Sequence, residues 1–525
     1  MSKIFLPIFL VSFLSGFSQN NNAIKYSEEI ETKGAFRHLS SLASDEFEGR
    51  ETGKRGGWMA ADYIAKQFRK LDLKPLSTNS YHQKVPVKEL SVMEAPAIIN
   101  GSTYSFLKDF YFIAGVERFA GRIDEITFCG FGIEDKNYND YAGIDVKDKV
   151  VLIIGRGLPG ENFKSWTFFD KIENLQKKQP SLIIACDTAF VLSLGKLTNL
   201  VKNSRYYFEG IKGIDSMAAV PFANESGYSV ARQKGEVAPI LYVSEIVANQ
   251  FLAKSTKAVK SLIEEITSGG KPKSFSSKVD AEINLSSNNI PVKADNVIGL
   301  VEGTDLKDEV IVISGHYDHL GMRNGKIYNG ADDNASGISG LLEIAQGFSK
   351  ARKKGKAPRR SILFIAFVGE EKGLLGSAYY TSKPVYALEK TVANLNIDMI
   401  GRNDLYRGKA DSLNYLFVIG SDKISTELRQ INETANNMYT RLALNYKYDD
   451  PKDQNYFYYR SDHFNFAKHG IPVIFYFNGT HKDYHQESDE TNGIKIDLLV
   501  KRAKLVFFTA WEIANRGRRL VIDKK

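Results

Sequence analysis

The sequence predicts an α/β protein with a mixed, mostly parallel sheet sandwiched by helices and with an inserted β-rich domain. From residue 293 to residue 516, apolar strand-like runs alternate with helical patterns, which is typical of parallel strands with helices on both faces of the sheet. From residue 121 to residue 286, short strand-like runs are instead separated by glycine-containing turns. A chain of 525 residues is also too long for one ordinary domain.

The first 18 residues are predicted to form a cleavable signal peptide. Lys3 supplies the positive charge, and the apolar run 4–14 is too short to span a bilayer. Gly16 and Ser18 are small residues that suit a cleavage site. We therefore expect an exported protein, periplasmic or secreted, with no stable membrane span in the mature chain.

Residues 24–120 are assigned to the N-terminal part of the main domain. A helical pattern runs from Ile24 to Ala43, and apolar residues at helical spacing predict an amphipathic helix over Trp58–Leu71. A strand-rich segment then continues to about residue 120.

The main domain resumes near residue 293 and ends near residue 516. Its predicted elements are, in chain order, the strand VIVIS, the helix SGISGLLEIAQGFSKA, the strand SILFIAFV, the helix LLGSAYYTS, the strands VANLNID, YLFVIG and IPVIFYF, and a final helix from Asp497 to Ala514.

The charge balance argues against a nucleic-acid partner. The net charge of +8 comes from 70 basic and 62 acidic residues, and the basic residues are spread along the chain rather than gathered in one tract. A solvated basic surface is the better interpretation.

The two cysteines are predicted to be buried free thiols rather than a disulfide. Cys129 and Cys186 both lie in apolar strand-like runs, EITFCGFG and SLIIACD. Neither has the surroundings of a metal ligand or a nucleophile.

Metal-binding side chains follow several of the predicted strands. His316 ends EVIVISGH, the pair Glu370–Glu371 follows ILFIAFV, and Asp398 ends TVANLNID. His485 lies in a loop after IPVIFYF. In sheets of this kind ligands bind outside the carboxyl ends of the strands, and histidines with several carboxylates are what a two-metal hydrolase needs.

Two details refine this prediction. The strand period of two places His316 and Asp318 on one side, so the Asp318 carboxylate can accept a hydrogen bond from the imidazole and fix its tautomer. In the turn GADDNASG either Asp332 or Asp333 could bridge two metals, while Asp332 or Asn334 could instead cap the following helix.

Glu370 and Glu371 are predicted to have different roles. Neighbouring residues at a strand end point in different directions, so that one carboxylate can bind metal while the other accepts a proton. The remaining histidines are expected to be ordinary residues, although His463 could support the site. They are His38, His82, His319, His463, His469 and His481.

These motifs resemble the co-catalytic di-zinc peptidase family of bacterial leucine-type aminopeptidases and glutamate carboxypeptidase. The matching runs are SGHYDHLG, NGADDNASG, FVGEEKGLLGS, NLNIDMIGR, RSDHFNFAKHGIP and DYHQESDE, and GRETGKRGGWMAADYIAKQF is similar to the N-terminal segment of the family. Residues 121–286 resemble the protease-associated domain that some members insert.

The resemblance implies the set of ligands around each metal and a role for each catalytic residue. It implies two Zn²⁺ per chain, a cis peptide after the bridging Asp333, Glu370 as general base and acid, and Tyr484 as a hydrogen-bond donor to the tetrahedral intermediate. One zinc would be held by His316, Asp333 and Asp398, and the other by Asp333, Glu371 and His485.

The implied activity is that of a zinc-dependent aminopeptidase acting on peptides with a free N-terminus, through a metal-bridging water and a glutamate base. A carboxypeptidase or dipeptidase with the same site is the alternative, and Arg402 or Arg460 could then hold the terminal carboxylate. Glutaminyl cyclisation needs one zinc, and an inactive receptor-like homologue would be expected to lose ligands. Oligomeric state and side-chain preference are not predicted.

Overall fold

The computed structural model of the chain describes residues 20–76, 80–112, 118–155, 157–158, 160, 163, 166–190, 205–208, 238–404 and 413–524. The predicted signal peptide, residues 1–18, lies outside this range. The helices are α1 Asn21–Ser27, α2 Thr32–Leu42, α3 Arg55–Lys70, α4 Phe168–Gln176, α5 Glu245–Phe251, α6 Val259–Gly269, α7 Gly337–Lys353, α8 Leu375–Ser382, α9 Thr426–Ala435, α10 His463–Ala467 and α11 Ile496–Asn515.

Short helical turns cover Asp45–Arg50, Ala253–Ser255, Ala331–Ser336, Leu388–Lys390, Asn436–Thr440, Lys447–Asp449, Phe457–Tyr459 and Thr491–Gly493. The strands are β1 His82–Lys84, β2 Val87–Met93, β3 Ala97–Ile99, β4 Ser102–Tyr104, β5 Phe110–Tyr111, β6 Phe119–Cys129, β7 Glu134–Asp135, β8 Tyr138–Asn139, β9 Val150–Ile154, β10 Leu182–Cys186, β11 Arg205–Phe208, β12 Ile240–Val243, β13 Ser274–Pro291, β14 Asp295–Val301, β15 Leu306–His316, β16 Gly321–Arg323, β17 Lys326–Tyr328, β18 Arg360–Phe367, β19 Thr391–Ile397, β20 Tyr415–Ile419, β21 Ala443–Asn445 and β22 Val473–Phe477.

The chain divides into two compact units. The first contains residues 1–83, 295–371 and 383–525, and the second contains residues 84–294 and 372–382. Each unit has its own large sheet, and the candidate site lies in the first.

The sheet of the first unit has eight strands in the order β1-β14-β18-β15-β19-β22-β20-β21. The four central strands β18, β15, β19 and β22 run parallel, while β14 and β20 are antiparallel to their neighbours in that group. The predicted mixed, mostly parallel sheet is therefore confirmed, and the antiparallel pairs lie towards its margins.

Helices cover both faces of this sheet. On one face, the ring of Phe364 in β18 lies 6.3 Å from that of Phe348 in α7. Phe367 is three residues further along β18 and therefore points to the opposite face, where its ring lies 6.2 Å from that of Phe466 in α10. Every residue of β18 is buried, as expected for a parallel strand covered on both sides.

The second unit contains a ten-stranded sheet dominated by the 18-residue strand β13, which pairs with β6, β2 and β3. This unit extends beyond the predicted insertion 121–286 at both ends. The residues before 121 lie in it because β2 and β3 pair with a strand almost 200 residues later, a partnership that local patterning does not reveal. Its identity as a protease-associated domain stays a prediction.

Three further expectations can be compared with the structure. The helical pattern of Ile24–Ala43 is interrupted between α1 and α2, so that it forms two helices instead of one. Cys129 and Cys186 are buried free thiols, as predicted. Among the described residues, no helix combines the length and the apolar composition required to cross a bilayer.

An ionisable carboxyl group is buried among the helices of the first unit. Glu343 of α7 is fully buried, and its Oε2 accepts a hydrogen bond from the main-chain N–H of Glu31 at 2.9 Å. Its Oε1 lies 3.6 Å from Nε2 of His38. Burial raises the pKa of Glu343 to about 7 and lowers that of His38 to about 3, so the two side chains face one another uncharged near pH 6.

We expect Glu343→Gln to raise the free energy of unfolding by roughly 1–3 kcal/mol at pH 8 and by little at pH 4.5. The folded chain holds the Glu343 proton more tightly than the unfolded chain does, so the wild-type stability falls as the pH rises from the ordinary glutamate pKa of 4.5 towards 7. Urea unfolding between pH 4.5 and 8 measures this slope, with the exposed Glu28→Gln as control. An unchanged slope in Glu343→Gln would contradict the assignment.

Candidate metal centre

Neighbouring parallel strands bring three of the predicted site positions to one edge of the first sheet. His316, the last residue of β15, pairs with Phe367, the last residue of β18, and the glutamate pair follows β18. Ser314 of β15 pairs with Asn396 of β19, two residues before Asp398. Because the strands end level with one another, the side chains that follow them meet beyond the carboxyl ends.

Asp333 lies in the tight turn Ala331–Ser336, between β17 and α7. Asp333 and Asn334 have non-helical dihedral angles, and the peptide bond between them is cis, as the resemblance implies. The Asn334 amide donates to the main-chain oxygen of Ile397 at 2.9 Å, and its Oδ1 accepts from the first amide of α7 at 2.9 Å. The side chain of Asn334, and not that of Asp332, therefore binds the first amide of α7.

One cluster of candidate ligands consists of His316, Glu370 and Asp398, whose ligand atoms all lie within 4.8 Å of one another. Nε2 of His316 is 3.3 Å from Oδ1 of Asp398 and 4.0 Å from Oε2 of Glu370. The hydroxyl of Ser461 donates to Oδ2 of Asp398 at 2.6 Å. This bond orients the carboxylate towards the imidazole.

A second cluster consists of His319, Asp333 and Glu371. Nδ1 of His319 lies 2.8 Å from Oε1 of Glu371 and 3.8 Å from Oδ2 of Asp333. His485 approaches the same pair, with Nε2 3.0 Å from Oδ2 of Asp333 and 3.4 Å from Oε2 of Glu371. Two imidazoles thus flank one pair of carboxylates.

Asp333 faces both clusters at once. Its Oδ1 lies 3.3 Å from Nε2 of His316, and its Oδ2 lies 3.0 Å from Nε2 of His485. A carboxylate with one oxygen towards each group of ligands is suited to bridge two ions. The geometry therefore places Asp333, and not Asp332, between the clusters.

His319 belongs to the site, although it was expected to be an ordinary histidine, and that expectation is wrong. It is fully buried, and its imidazole contacts Glu371 directly. Strand periodicity could not identify it because β15 ends at His316. His481 is also buried, with Nε2 3.2 Å from Oδ2 of Asp332, and so does not lie on the surface.

Asp318 lies behind His316, but its nearest contact differs from the predicted one. Nδ1 of His316 is 3.1 Å from the main-chain oxygen of Asp318 and 3.7 Å from its carboxylate. The carboxylate instead accepts hydrogen bonds from the hydroxyl of Thr52 at 2.7 Å and from the main-chain N–H of Glu370 at 3.1 Å. The backbone turn after β15 brings the carbonyl closer to the ring than the side chain.

The two adjacent glutamates have environments that shift their pKa values in opposite directions. Burial, together with Asp398, raises the pKa of Glu370 well above its ordinary range. Burial also disfavours the charged form of Glu371, but His485 and His319 outweigh it and lower the pKa of Glu371. These surroundings therefore favour the charged form of Glu371 and the protonated form of Glu370.

Tyr484 lies beside the second cluster, with its ring stacked on His485 at a centroid distance of 3.9 Å. Burial raises the pKa of its hydroxyl well above the usual value, and the charge of Asp333 adds to this effect. The hydroxyl accepts a hydrogen bond from Nη2 of Arg460 at 3.3 Å. Because Arg460 occupies the acceptor side, the hydroxyl proton remains able to donate.

Arg402 is engaged in ion pairs with the loop that contains Tyr484 and His485. Its Nη1 donates to Oδ2 of Asp483 at 2.8 Å, and its Nη2 lies 3.0 Å from Oδ1 of Asp489. Oδ2 of Asp489 in turn accepts the main-chain N–H groups of Asp332 at 2.9 Å and Asp333 at 3.1 Å. Arg402 therefore connects this loop to the bridging aspartate and is not suited to hold a substrate carboxylate.

The donor set fits divalent metal ions. Imidazole nitrogens and carboxylate oxygens are the ligands that zinc prefers among nitrogen and oxygen donors. The carboxylates of both clusters are buried or nearly so, and such groups repel one another unless cations lie between them. One ion in each cluster would relieve this repulsion.

Comparison with known proteins agrees with this geometry. The sequence model of Peptidase family M28 matches residues 296–510. A probable zinc metalloprotease of Pyricularia oryzae is 30% identical over 280 residues, which cover 44% of this chain and 53% of that protein. A probable glutamate carboxypeptidase of Arthroderma benhamiae is 38% identical over 105 residues, 20% of this chain and 14% of that protein.

The overall fold has counterparts among solved structures. An aminopeptidase from Aneurinibacillus sp. strain AM-1 superimposes with a TM-score of 0.55 at 18% identity, covering 96% of this chain and 98% of that one. The chain spans about half the length of the metalloprotease relatives that it matches. The range matched by this family model, residues 296–510, contains both ligand clusters, so the chain is similar to peptidase family M28 at its metal centre.

Proposed function

We propose that this chain is an exported zinc-dependent aminopeptidase that binds two zinc ions and removes N-terminal residues from peptides. The observation that carries the proposal is the position of Asp333, which faces one ligand cluster with each of its oxygens. His316 and Asp398 would complete one zinc site, and Glu371 and His485 the other. The leader-like sequence of residues 1–18 supports export, either to the periplasm or out of the cell.

Zinc held by these residues would supply a Lewis acid that polarises the scissile carbonyl and makes a water molecule more acidic. Glu370 takes the proton of the attacking water and passes it to the nitrogen of the leaving peptide as the C–N bond breaks. Oε2 of Glu370 lies 4.0 Å from Nε2 of His316, at the edge of the cluster that would hold the ion.

Tyr484 stabilises the negative charge that develops on the carbonyl oxygen during attack. Its hydroxyl is protonated at neutral pH because burial raises its pKa. The free α-amine of the substrate is drawn to the carboxylates at the site, of which Glu370 and Asp398 are the two beside His316.

Arg460 favours a second candidate, a carboxypeptidase or dipeptidase with the same metal site. Its guanidinium is partly exposed beside Tyr484, and no carboxylate pairs with it within the part of the chain that the structure describes. It could hold the terminal carboxylate of a short peptide. Arg402, the other arginine considered for this role, is already paired with Asp483 and Asp489.

The two candidates differ in the substrate end that they require. We expect purified protein to release nitroaniline from aminoacyl-p-nitroanilides and to be inactive on the matched N-acetyl derivatives. A chelator should abolish the activity, and added zinc should restore it. Cleavage of C-terminal residues from N-blocked peptides, with silence on the free-amine panel, would establish the carboxypeptidase instead.

Glu370→Gln should bind zinc like the wild type but lower kcat by about 10²- to 10⁴-fold, because the amide cannot accept the proton of the attacking water. Metal content by atomic emission and kcat on the best nitroanilide provide the two readings. The exposed Glu389→Gln serves as the matched control. A Glu370→Gln enzyme with near-normal turnover would remove Glu370 from the mechanism.

Tyr484→Phe should lower kcat by about 10²-fold and change KM little, because its hydroxyl acts on charge that develops only in the transition state. The exposed Tyr459→Phe should retain wild-type kinetics and controls for the loss of an aromatic hydroxyl. A rise in KM at constant kcat would instead indicate that Tyr484 binds the ground-state substrate.

A further inference from the structure

Arg50, far from the ligands in sequence, is buried directly behind the metal centre. It is fully buried and lies in the segment 45–52, which follows α2 and to which the proposed mechanism assigns no role. A buried arginine is costly unless hydrogen bonds and charges compensate it. Its surroundings therefore indicate what it does.

A guanidinium has five N–H donors. In Arg50 each of them can be assigned to a main-chain carbonyl group. Four of the five acceptors belong to the end of β15 or to the turn that leads to the bridging aspartate. Nε donates to Tyr317 at 2.8 Å, Nη1 to Leu42 and Asn329 at 2.6 Å each, and Nη2 to Gly330 at 2.9 Å and Asp333 at 3.5 Å.

Arg50 forms no ion pair with a carboxylate among the residues that the structure describes. Burial lowers its pKa to about 10, although Asp333 and Asp489 favour the charged form, so the guanidinium is charged at neutral pH. The charge thus stabilises the acidic region as a whole, while the hydrogen bonds fix the backbone of two ligand-bearing segments relative to one another.

Thr52, two residues later, reaches the other side of the same region. It is fully buried, and its hydroxyl donates to Oδ2 of Asp318 at 2.7 Å. Asp318 also receives the main-chain N–H of Glu370 at 3.1 Å. Through Asp318, Thr52 therefore contacts both the turn that follows His316 and the backbone of Glu370, the glutamate that would accept the proton.

The backbone of the segment is shaped for this contact. Glu48, Gly49 and Arg50 have φ angles of 49°, 66° and 53°, in the left-handed region that favours glycine. A Cβ at Gly49 would lie 2.4 Å from the main-chain oxygen of Tyr328. Only glycine allows the segment to approach the strand before the Asp333 turn so closely.

We propose that Arg50 and Thr52 are positioning residues of the metal centre, which hold the His316 strand end and the Asp333 turn in the geometry that binds metal. The inference rests on the proposed function only for the identity of the metal, zinc. It assigns to the segment 45–52 a part in metal affinity, beyond the packing of the fold.

The test is zinc binding by the full chain, with no peptide substrate. Zinc dissociation constants are measured by competition with a chromophoric chelator for Arg50→Lys, Arg50→Met and Thr52→Val. The exposed Arg122→Met, in the second unit, and Thr304→Val are the matched controls. Two further readings are the absorption spectrum of the cobalt-substituted protein and the Tm with and without zinc.

We expect the Arg50 and Thr52 variants to bind zinc about 10- to 100-fold more weakly than the wild type, as for other residues that orient metal ligands. Arg50→Lys should resemble Arg50→Met, because a lysine retains the charge but cannot bind the five carbonyl groups. The cobalt spectrum should change, and the rise in Tm on zinc binding should shrink. Both controls should match the wild type.

A purely structural role predicts a different result: a lower Tm of the metal-free variants with unchanged zinc affinity and cobalt spectrum, and that result overturns the inference. If the Arg50 variants do not fold, the zinc affinity and cobalt spectrum of the near-isosteric Thr52→Val distinguish the two roles in the same way. A wild type that binds zinc but cleaves no peptide would refute the proposed function and leave this inference standing. If the wild type is active on peptides and the variants bind zinc with unchanged affinity, this inference is refuted and the proposed function stands.

Discussion

The structure of the site depends on the repulsion between carboxylates gathered at the carboxyl ends of parallel strands. Asp333, Glu370, Glu371 and Asp398 converge within a few ångströms, and the imidazoles that lie between them, such as His316, cannot neutralise them all. At such distances in a buried environment like charges are strongly unfavourable. Metal ions relieve this repulsion, so the same electrostatics that make the unloaded centre unfavourable provide affinity for cations.

The rest of the first unit holds these carboxylates where the repulsion alone would separate them. The contacts that do so are mostly between side chains and backbone: Asn334 ties the Asp333 turn to the end of β19, and Asp489 accepts two amides of the same turn. Arg402 and Arg50, which lie far apart in the sequence, both supply positive charge to this region. Main-chain contacts suit this purpose because they leave the ligand side chains free to bind metal.

The predictable part of the site is the part encoded by strands. His316 and Asp398 follow apolar runs whose parallel pairing is implied by the alternation of strands and helices, so their convergence follows from the fold class. His319 was not predicted because it lies beyond the end of the strand, where the period of two no longer tells which face of the sheet a side chain is on. The break between α1 and α2 and the assignment of β2 to the second unit depend on tertiary partners, which a local pattern cannot contain.

The role of Arg50 is of a kind that the sequence alone does not predict. Metal ligands and proton acceptors are recognised by residue type, since few side chains can perform those roles. A residue that holds main-chain carbonyl groups has no such signature, because every residue supplies the acceptor. Its role becomes visible only when the five acceptors are seen around one guanidinium. The same reasoning applies to Thr52, whose hydroxyl gains significance only from the carboxylate of Asp318 beside it.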